Sequence, residues 1–300
     1  MQTISLLEII YMLKVLVSGV SGQLGSEIKA ISTLYPQYDF TFADRSMLDL
    51  SNLCKMEDFF EGKIFDAIIN CAAYTAVDKA ESEIDFADTI NHRFVSMLAK
   101  IAKKKNTLLI HLSTDYVFDG KNYRPYIESD PSDPQGVYGC TKRDGENAIL
   151  SVAPCNTIII RTSWVYSSFG NNFVKTMLRL GHERDNLGVI FDQVGTPTYA
   201  RDLAQAILDI LPQINNTKPE IYHYSNEGAA SWYDFAKAIF ELSSVTCQVN
   251  PITTDQYPTP ASRPHYSLLN KSKIKNDFNL SIPYWRDSLK ECLNTLGEIK

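Results

Sequence analysis

The segment LKVLVSGVSGQLGSEIKAI, Leu13 to Ile31, constrains the fold more than any other part of the chain. An apolar, valine-rich run ends at Ser18, and Gly19, Gly22 and Gly25 follow at three-residue spacing. A helical pattern then continues until it stops before Pro36. Missing side chains let a backbone approach a pyrophosphate closely, and a helix N-terminus supplies N–H donors and the positive end of its dipole. Strand, glycine loop and helix in this order predict the first unit of a dinucleotide-binding sheet. Further apolar runs, YDFTFADR, FDAIINCAAY, TLLIHLST and NTIIIRTSWVY, read as strands. Between them lie helical segments such as Glu83 to Lys105, with Ile90, Phe94, Leu98 and Ile101 on one face. Strands alternating with helices imply an α/β fold, a Rossmann-like doubly wound parallel sheet.

From about Asn171 the rhythm loosens and prolines gather in NPITTDQYPTPASRP. We therefore expect residues 12–168 to form the dinucleotide-binding domain, with 189–212 returning to it. Residues 169–188 and 213–300 would form a smaller substrate lobe. Residues 1–11 read as an extension upstream of a start at Met12. The apolar stretch MQTISLLEIIYMLKVLVSG is interrupted by Glu8 and Lys14 and is too short for a membrane span. A formal net charge of −6, with no basic block beyond Lys103 to Lys105 at a helix end, argues against a nucleic-acid partner. Six cysteines without a C-x-x-C pair point to reduced thiols and a cytoplasmic protein.

Strand C-termini line the ligand crevice in such sheets. Ala72, Ala73 and Tyr74 close the third strand and make room for a cofactor. Asp44 and Arg45 close the second. An acid there would bind a ribose 2′-hydroxyl and an arginine a 2′-phosphate, so the pair leaves NADH and NADPH both open. Asp49 and Leu50 would flank the adenine. Tyr138 and Lys142 lie one helical turn apart, behind the loop ESDPSDPQ, and Thr114 ends the strand LLIHLST. An ammonium beside the phenol would bring its pKa down from about 10, and Lys142 could also hold ribose hydroxyls. The Thr114 hydroxyl would bind the same carbonyl oxygen as the phenol. A second pair, Tyr233 and Lys237, follows Ser231 and Asp234, a helix-capping pattern above a core face, and reads as structural. Arg263, alone among prolines, offers a planar fork suited to a diphosphate.

These motifs, with GVSGQLG, NCAAYTAVDKAE, LSTDYVFDG, YGCTKRDGE, RTSWVY, NNFVKTMLR, DQVGTPTYARDLA and YPTPASRP in that order, resemble the dTDP-4-dehydrorhamnose reductases of the extended short-chain dehydrogenase/reductases. The resemblance implies reduction of the 4-keto group of dTDP-4-dehydro-β-L-rhamnose with NADPH or NADH. It makes Tyr138 the general acid, Lys142 its partner and Thr114 the carbonyl-holding hydroxyl. Gly22, Gln23 and Leu24 match cofactor-loop contacts, as Asp44, Asp49, Leu50, Ala72, Ala73 and Tyr74 match the other cofactor positions. Asp115 and Trp164 match the sugar pocket, and Asn172 and Arg263 join them on the substrate side. Some members bind magnesium at a dimer contact; no carboxylate set here matches it, so a metal stays unassigned and a homodimer is open. One departure is Tyr266, which stands where members usually carry an asparagine two residues beyond the Arg-Pro pair. Another 4-keto-sugar reductase or epimerase, or a non-catalytic regulatory subunit of this fold, are the alternatives; the intact Thr114, Tyr138 and Lys142 argue against the last.

Overall fold

The structure, a computed structural model, describes residues 12–299; the expected extension 1–11 lies outside them. Five strands follow the predicted order: β1 (Leu13–Ser18), β2 (Tyr38–Ala43), β3 (Ala67–Asn70), β4 (Leu108–Thr114) and β5 (Thr157–Thr162). They form one six-stranded parallel sheet in the order β2-β1-β3-β4-β5, closed at the far edge by the strand Glu220–His223. The chain leaves β1 toward β2, then returns to build on the other side, so the crevice opens where the strand order reverses.

Side chains alternate across the sheet with a period of two. Val15, Val17, Ile69, Ile110, Ile158 and Ile160 face one layer, which contains Ile28 of helix α1 (Gln23–Ile31) and Leu203 and Ile207 of the helix Ala200–Ile210. Leu16, Ile68, Leu109 and Ile159 face the other, with Phe60, Phe94 and Leu98. Burial on both faces is why these strands read as continuous apolar runs. A separate core lies in the lobe, where Phe235, Ile239, Trp285 and Leu289 pack beside the parallel pair Asn186–Ile190 and Gln248–Ile252. Among the described residues no helix is long and apolar enough to cross a membrane.

Three expectations from the sequence need correction. Residues 220–223 were assigned to the lobe, yet they pair with β5, and Ile274 and Phe278 of the helix Ser272–Phe278 enter the sheet core. The run EIYH is too short and too polar to announce a strand; only the alternation of Ile221 and Tyr222 between the two faces betrays it. Within 189–212, the helix Ala200–Ile210 covers α1, whereas Val194–Gly195 pairs with Ala230–Ser231 of the lobe. The single helix expected over Glu83 to Lys105 is interrupted by a π turn at Thr89–Arg93. There the buried Asn91 side chain accepts from Tyr74 N (2.9 Å) and donates to the Tyr74 carbonyl (3.1 Å) and the Thr141 hydroxyl (3.1 Å).

Gly145, on the helix Val137–Val152, lets this turn approach: a Cβ there would lie 2.2 Å from the Asn91 carbonyl oxygen. Backbone faces backbone, so neither side can yield cheaply. Gly145→Ala is expected to lower stability by about 1–3 kcal/mol. Thermal denaturation checks this, and an unchanged melting temperature would contradict the packing described.

Candidate active site

The loop after β1 turns at Gly19, whose φ of +74° and separation from β3 exclude a side chain; a Cβ would lie 2.6 Å from Ala72 N. This junction opens a cavity of about 260 Å³. It is lined by Gly19, Gly22, Asp44, Arg45, Asp49, Leu50, Ala72, Ala73 and Tyr74, nine residues the sequence singled out for the cofactor. A Cβ on Gly22 would meet only the Gly19 carbonyl oxygen, at 3.2 Å, so the cradle over the α1 N-terminus stays open. These features fit a dinucleotide. Leu24 turns its side chain into the core and Gly25 sits against the Gly19 carbonyl, so each can offer only backbone. The Gln23 amide bonds the Val165 carbonyl (3.2 Å) and accepts from Asn172 (2.9 Å). Asp44 Oδ1 closes a turn by accepting from Ser46 N, Ser46 Oγ and Met47 N. Arg45 has no salt-bridge partner among the described residues.

Thr114 ends β4, and Tyr138 stands in the first turn of the helix Val137–Val152. The Thr114 hydroxyl, beside the Tyr138 phenol, donates to Asp115 Oδ1 (3.0 Å) and accepts from Tyr116 N (3.2 Å). Burial pushes that phenol up to about 12, against the lowering effect of Thr114. The expected lowering by Lys142 is not found here. Lys142 is buried, and its Nζ donates to the Leu112 carbonyl at 2.6 Å and sits 3.4 Å from His111 Nε2. Its ammonium is turned toward β4 and does not act on the phenol. Burial brings Lys142 down to about 8, with Glu146 opposing the shift. At neutral pH the phenol is protonated and the lysine, turned from it, is charged.

Glu146, one further turn along that helix, holds the site to the sheet. Its carboxylate takes a bidentate pair from Arg161 of β5 (2.7 and 2.9 Å) and a short bond from the Ser113 hydroxyl of β4. Both charges are buried, and the Arg161 guanidinium also lies over the Phe118 ring at 5.0 Å. Sequence reading missed this pair, because a lone arginine inside IIIRTS and a glutamate in a helix carry no joint signal. Asp115 is buried beside Thr114, from which its Oδ1 accepts (3.0 Å). Its Oδ2 and the Ser267 hydroxyl are buried without a partner in hydrogen-bond geometry. Burial raises the Asp115 carboxyl to about 7.

On the lobe side lies a larger cavity, about 690 Å³, whose lining includes Tyr116, Phe173, Trp232, Arg184, Asp78 and Arg263. The Tyr116 ring meets Tyr138 edge-on at 5.5 Å, so this cavity ends next to the phenol. Trp164, expected to face a sugar, stacks on Trp232 with ring centroids 3.6 Å apart and a backbone φ of +48°. Such a backbone is costly for a bulky residue and concentrates at functional sites. Trp232 supplies the stack's pocket-lining face, and the sequence hid it because its spacing to Phe235 is that of a core position. Two residues expected on the substrate side have partners within the protein. Asn172 caps the helix Phe173–Glu183 through Lys175 N, and its amide is engaged by Gln23 and the Ser167 carbonyl (2.7 Å). Arg263 is gripped by Asp78 (2.7 and 2.6 Å). Tyr266 packs on Tyr126, away from that guanidinium. Tyr233 and Lys237 belong to the helix Trp232–Ser243, capped by Ser231 and Asp234 as expected. Among the described residues no group of three or more His, Cys, Asp or Glu side chains is arranged to hold a metal.

Comparison with known proteins agrees with this geometry. Residues 13–298 match the model of the RmlD substrate binding domain family. The dTDP-4-dehydrorhamnose reductase of Aggregatibacter actinomycetemcomitans is 42% identical over 93% of this chain and 98% of its own length. That of Escherichia coli K12 is 40% identical over 95% and 98%. Among solved structures, a dTDP-4-dehydrorhamnose reductase from Clostridium acetobutylicum superposes with a TM-score of 0.90 at 40% identity, covering 95% of this chain and all of that one. The Bacillus anthracis enzyme, solved in complex with NADP, gives 0.89 at 35% identity, covering 95% and 99%.

Asp115 yields a test with a definite sign. Its folded pKa, about 7, lies above the ordinary 3.8, so the folded state binds more protons than the unfolded state in that window. Stability is therefore lost as pH rises through the window, and the loss is complete above about 7. Asp115→Asn is expected to raise the melting temperature more at about pH 8 than at about pH 5. An equal shift at both values would mean the carboxyl titrates normally.

Proposed function

The chain belongs to the dTDP-4-dehydrorhamnose reductase family, and we propose that it reduces the 4-keto group of dTDP-4-dehydro-β-L-rhamnose to give dTDP-β-L-rhamnose. The observation that carries this reading is the Tyr138 phenol, kept protonated by burial beside Thr114 at the C-terminal edge of the sheet. When bound, the reduced nicotinamide supplies the hydride. Tyr138 gives its proton to the C4 oxygen, and the Thr114 hydroxyl holds that oxygen in place. A phenol near 12 is the acid form a ketone reduction requires at neutral pH. Lys142, charged below about 8, serves the cofactor's ribose hydroxyls, since its ammonium is turned from the phenol to the Leu112 carbonyl. Tyr116, Phe173 and Trp232 shape an apolar wall for a deoxyhexose, with Trp164 behind Trp232. Arg263 and Arg184 offer cations to the diphosphate. Asp115 keeps the Thr114 hydroxyl oriented.

NADPH is the preferred donor. One Asp44 oxygen, Oδ1, is committed to its own turn, whereas Arg45 lines the same cavity with no salt-bridge partner among the described residues, which suits a 2′-phosphate. Work on reduced nicotinamide and six unpaired cysteines both suit the cytoplasm.

Two measurements test this. Mixing the protein with NADPH and enzymatically prepared keto sugar should oxidise the cofactor, and Tyr138→Phe should slow turnover by about 10²–10⁴-fold with the fold intact. Oxidation with a different keto sugar only would refute the substrate named. Arg45→Ala should raise the KM for NADPH about tenfold or more while leaving that for NADH little changed. Equal effects on both would return the cofactor choice to Asp44.

A further inference from the structure

The Arg263 guanidinium already holds an internal anion through both terminal nitrogens. Asp78, on the short helix Val77–Ala80 that follows the Ala72–Tyr74 crevice wall, accepts from Nη1 at 2.7 Å and from Nη2 at 2.6 Å. The same carboxylate accepts from Ala261 N (3.1 Å), and Arg263 Nη1 also donates to the Ala261 carbonyl (2.8 Å). This fork-on-fork contact ties the cofactor side of the cleft to the lobe loop and lines the larger cavity. Arg263 holds the Asp78 carboxyl below its usual range. The remaining charged residue of that lining, Arg184, has no salt-bridge partner among the described residues. An anion entering the cavity thus meets one open arginine and one whose paired N–H groups are taken.

We propose that Asp78 is an affinity-setting residue, an internal anion that holds the place of the substrate's diphosphate on Arg263 and is exchanged for it on binding. The inference rests on the reading that Arg263 takes the diphosphate. A carboxylate and a phosphate present the same two-oxygen edge to a guanidinium, so Asp78 keeps the fork in the geometry the phosphate needs. The pair is 22% exposed at Arg263 and 40% at Asp78, the kind of partly solvated bridge that contributes little and is readily broken. A diphosphate, with more charge and the help of Arg184, displaces it; a weaker anion does not. Asp78 thereby lowers affinity for every anion by one common factor and leaves useful binding only to those that make several contacts.

The experiment is calorimetric titration of dTDP into the NADPH-saturated protein for wild type, Asp78→Asn, Arg263→Gln and the double variant, at one ionic strength. Asparagine keeps the acceptor for Ala261 N, and NADPH affinity read by fluorescence reports an intact fold. Removing the competitor should tighten dTDP about two- to fivefold. Arg263→Gln should weaken it, and adding Asp78→Asn to that variant should change nothing further. If Asp78→Asn leaves dTDP affinity unchanged or weaker while Arg263→Gln weakens it, the exchange is refuted but the diphosphate reading stands. Equal tightening in the Arg263→Gln background would mean plain charge repulsion and also refute the exchange. No effect of Arg263→Gln would remove the diphosphate reading and the exchange together.

Discussion

The buried ion pair between Glu146 and Arg161 is the contact on which the site depends. It joins the helix bearing Tyr138 and Lys142 to β5, while Ser113 joins the same carboxylate to β4. Two charges removed from water are costly, and only a bidentate geometry with further hydrogen bonds offsets the loss. That demand is also a constraint on position. Sliding or rotating the helix by one residue would strand a carboxylate and a guanidinium in an apolar interior, so Tyr138 has one place to be. The charge of Glu146 reaches the active site as well, since it is what opposes the loss of a proton from Lys142.

A second restraint comes from an adjoining face of the same helix. Asn91 satisfies both backbone groups of Tyr74 and the Thr141 hydroxyl, linking the wall of the cofactor cavity to the helix of the proton donor. The π turn exists to bring that amide within reach, which is a physical reason for a helix defect at this point. Between these two restraints the phenol is held against Tyr116 of the larger cavity, on the helix tied to Tyr74 of the smaller one. One is narrow, with glycine and small residues against backbone; the other is broad, with aromatic walls and arginines at its rim.

What the sequence disclosed follows from the range of the interactions involved. The glycine loop, the buried strands and the lining of the first cavity were legible because each is local: a few adjacent residues set the strand, turn and helix start. Tyr138 and Thr114 were legible from their places at the ends of elements. Contacts between distant segments were not. Asp78 and Arg263 are separated by 185 residues, Glu146 and Arg161 sit in different elements, and Trp232 stacks on Trp164 from another region of the chain. Lys142 was placed on the correct helical face, but the direction of its ammonium is decided by the Leu112 carbonyl, which no spacing rule includes. Asn172 looked like a ligand because its role as a helix cap depends on where Lys175 N points.

The strand Glu220–His223 carries a consequence for how the protein reaches this state. The sheet is completed by a segment made after most of the lobe's first half, and its hydrophobic layer is closed by Ile274 and Phe278 near the end of the chain. During synthesis the N-terminal strands must therefore wait, with the β5 edge unpaired until Glu220–His223 is made and the Tyr222 ring bare until Phe278 follows. Such long-separation pairing folds slowly and leaves adhesive surface exposed in the interval. Chaperone dependence during expression, and loss of the whole molecule rather than of one lobe on C-terminal truncation, are built into this order of strands.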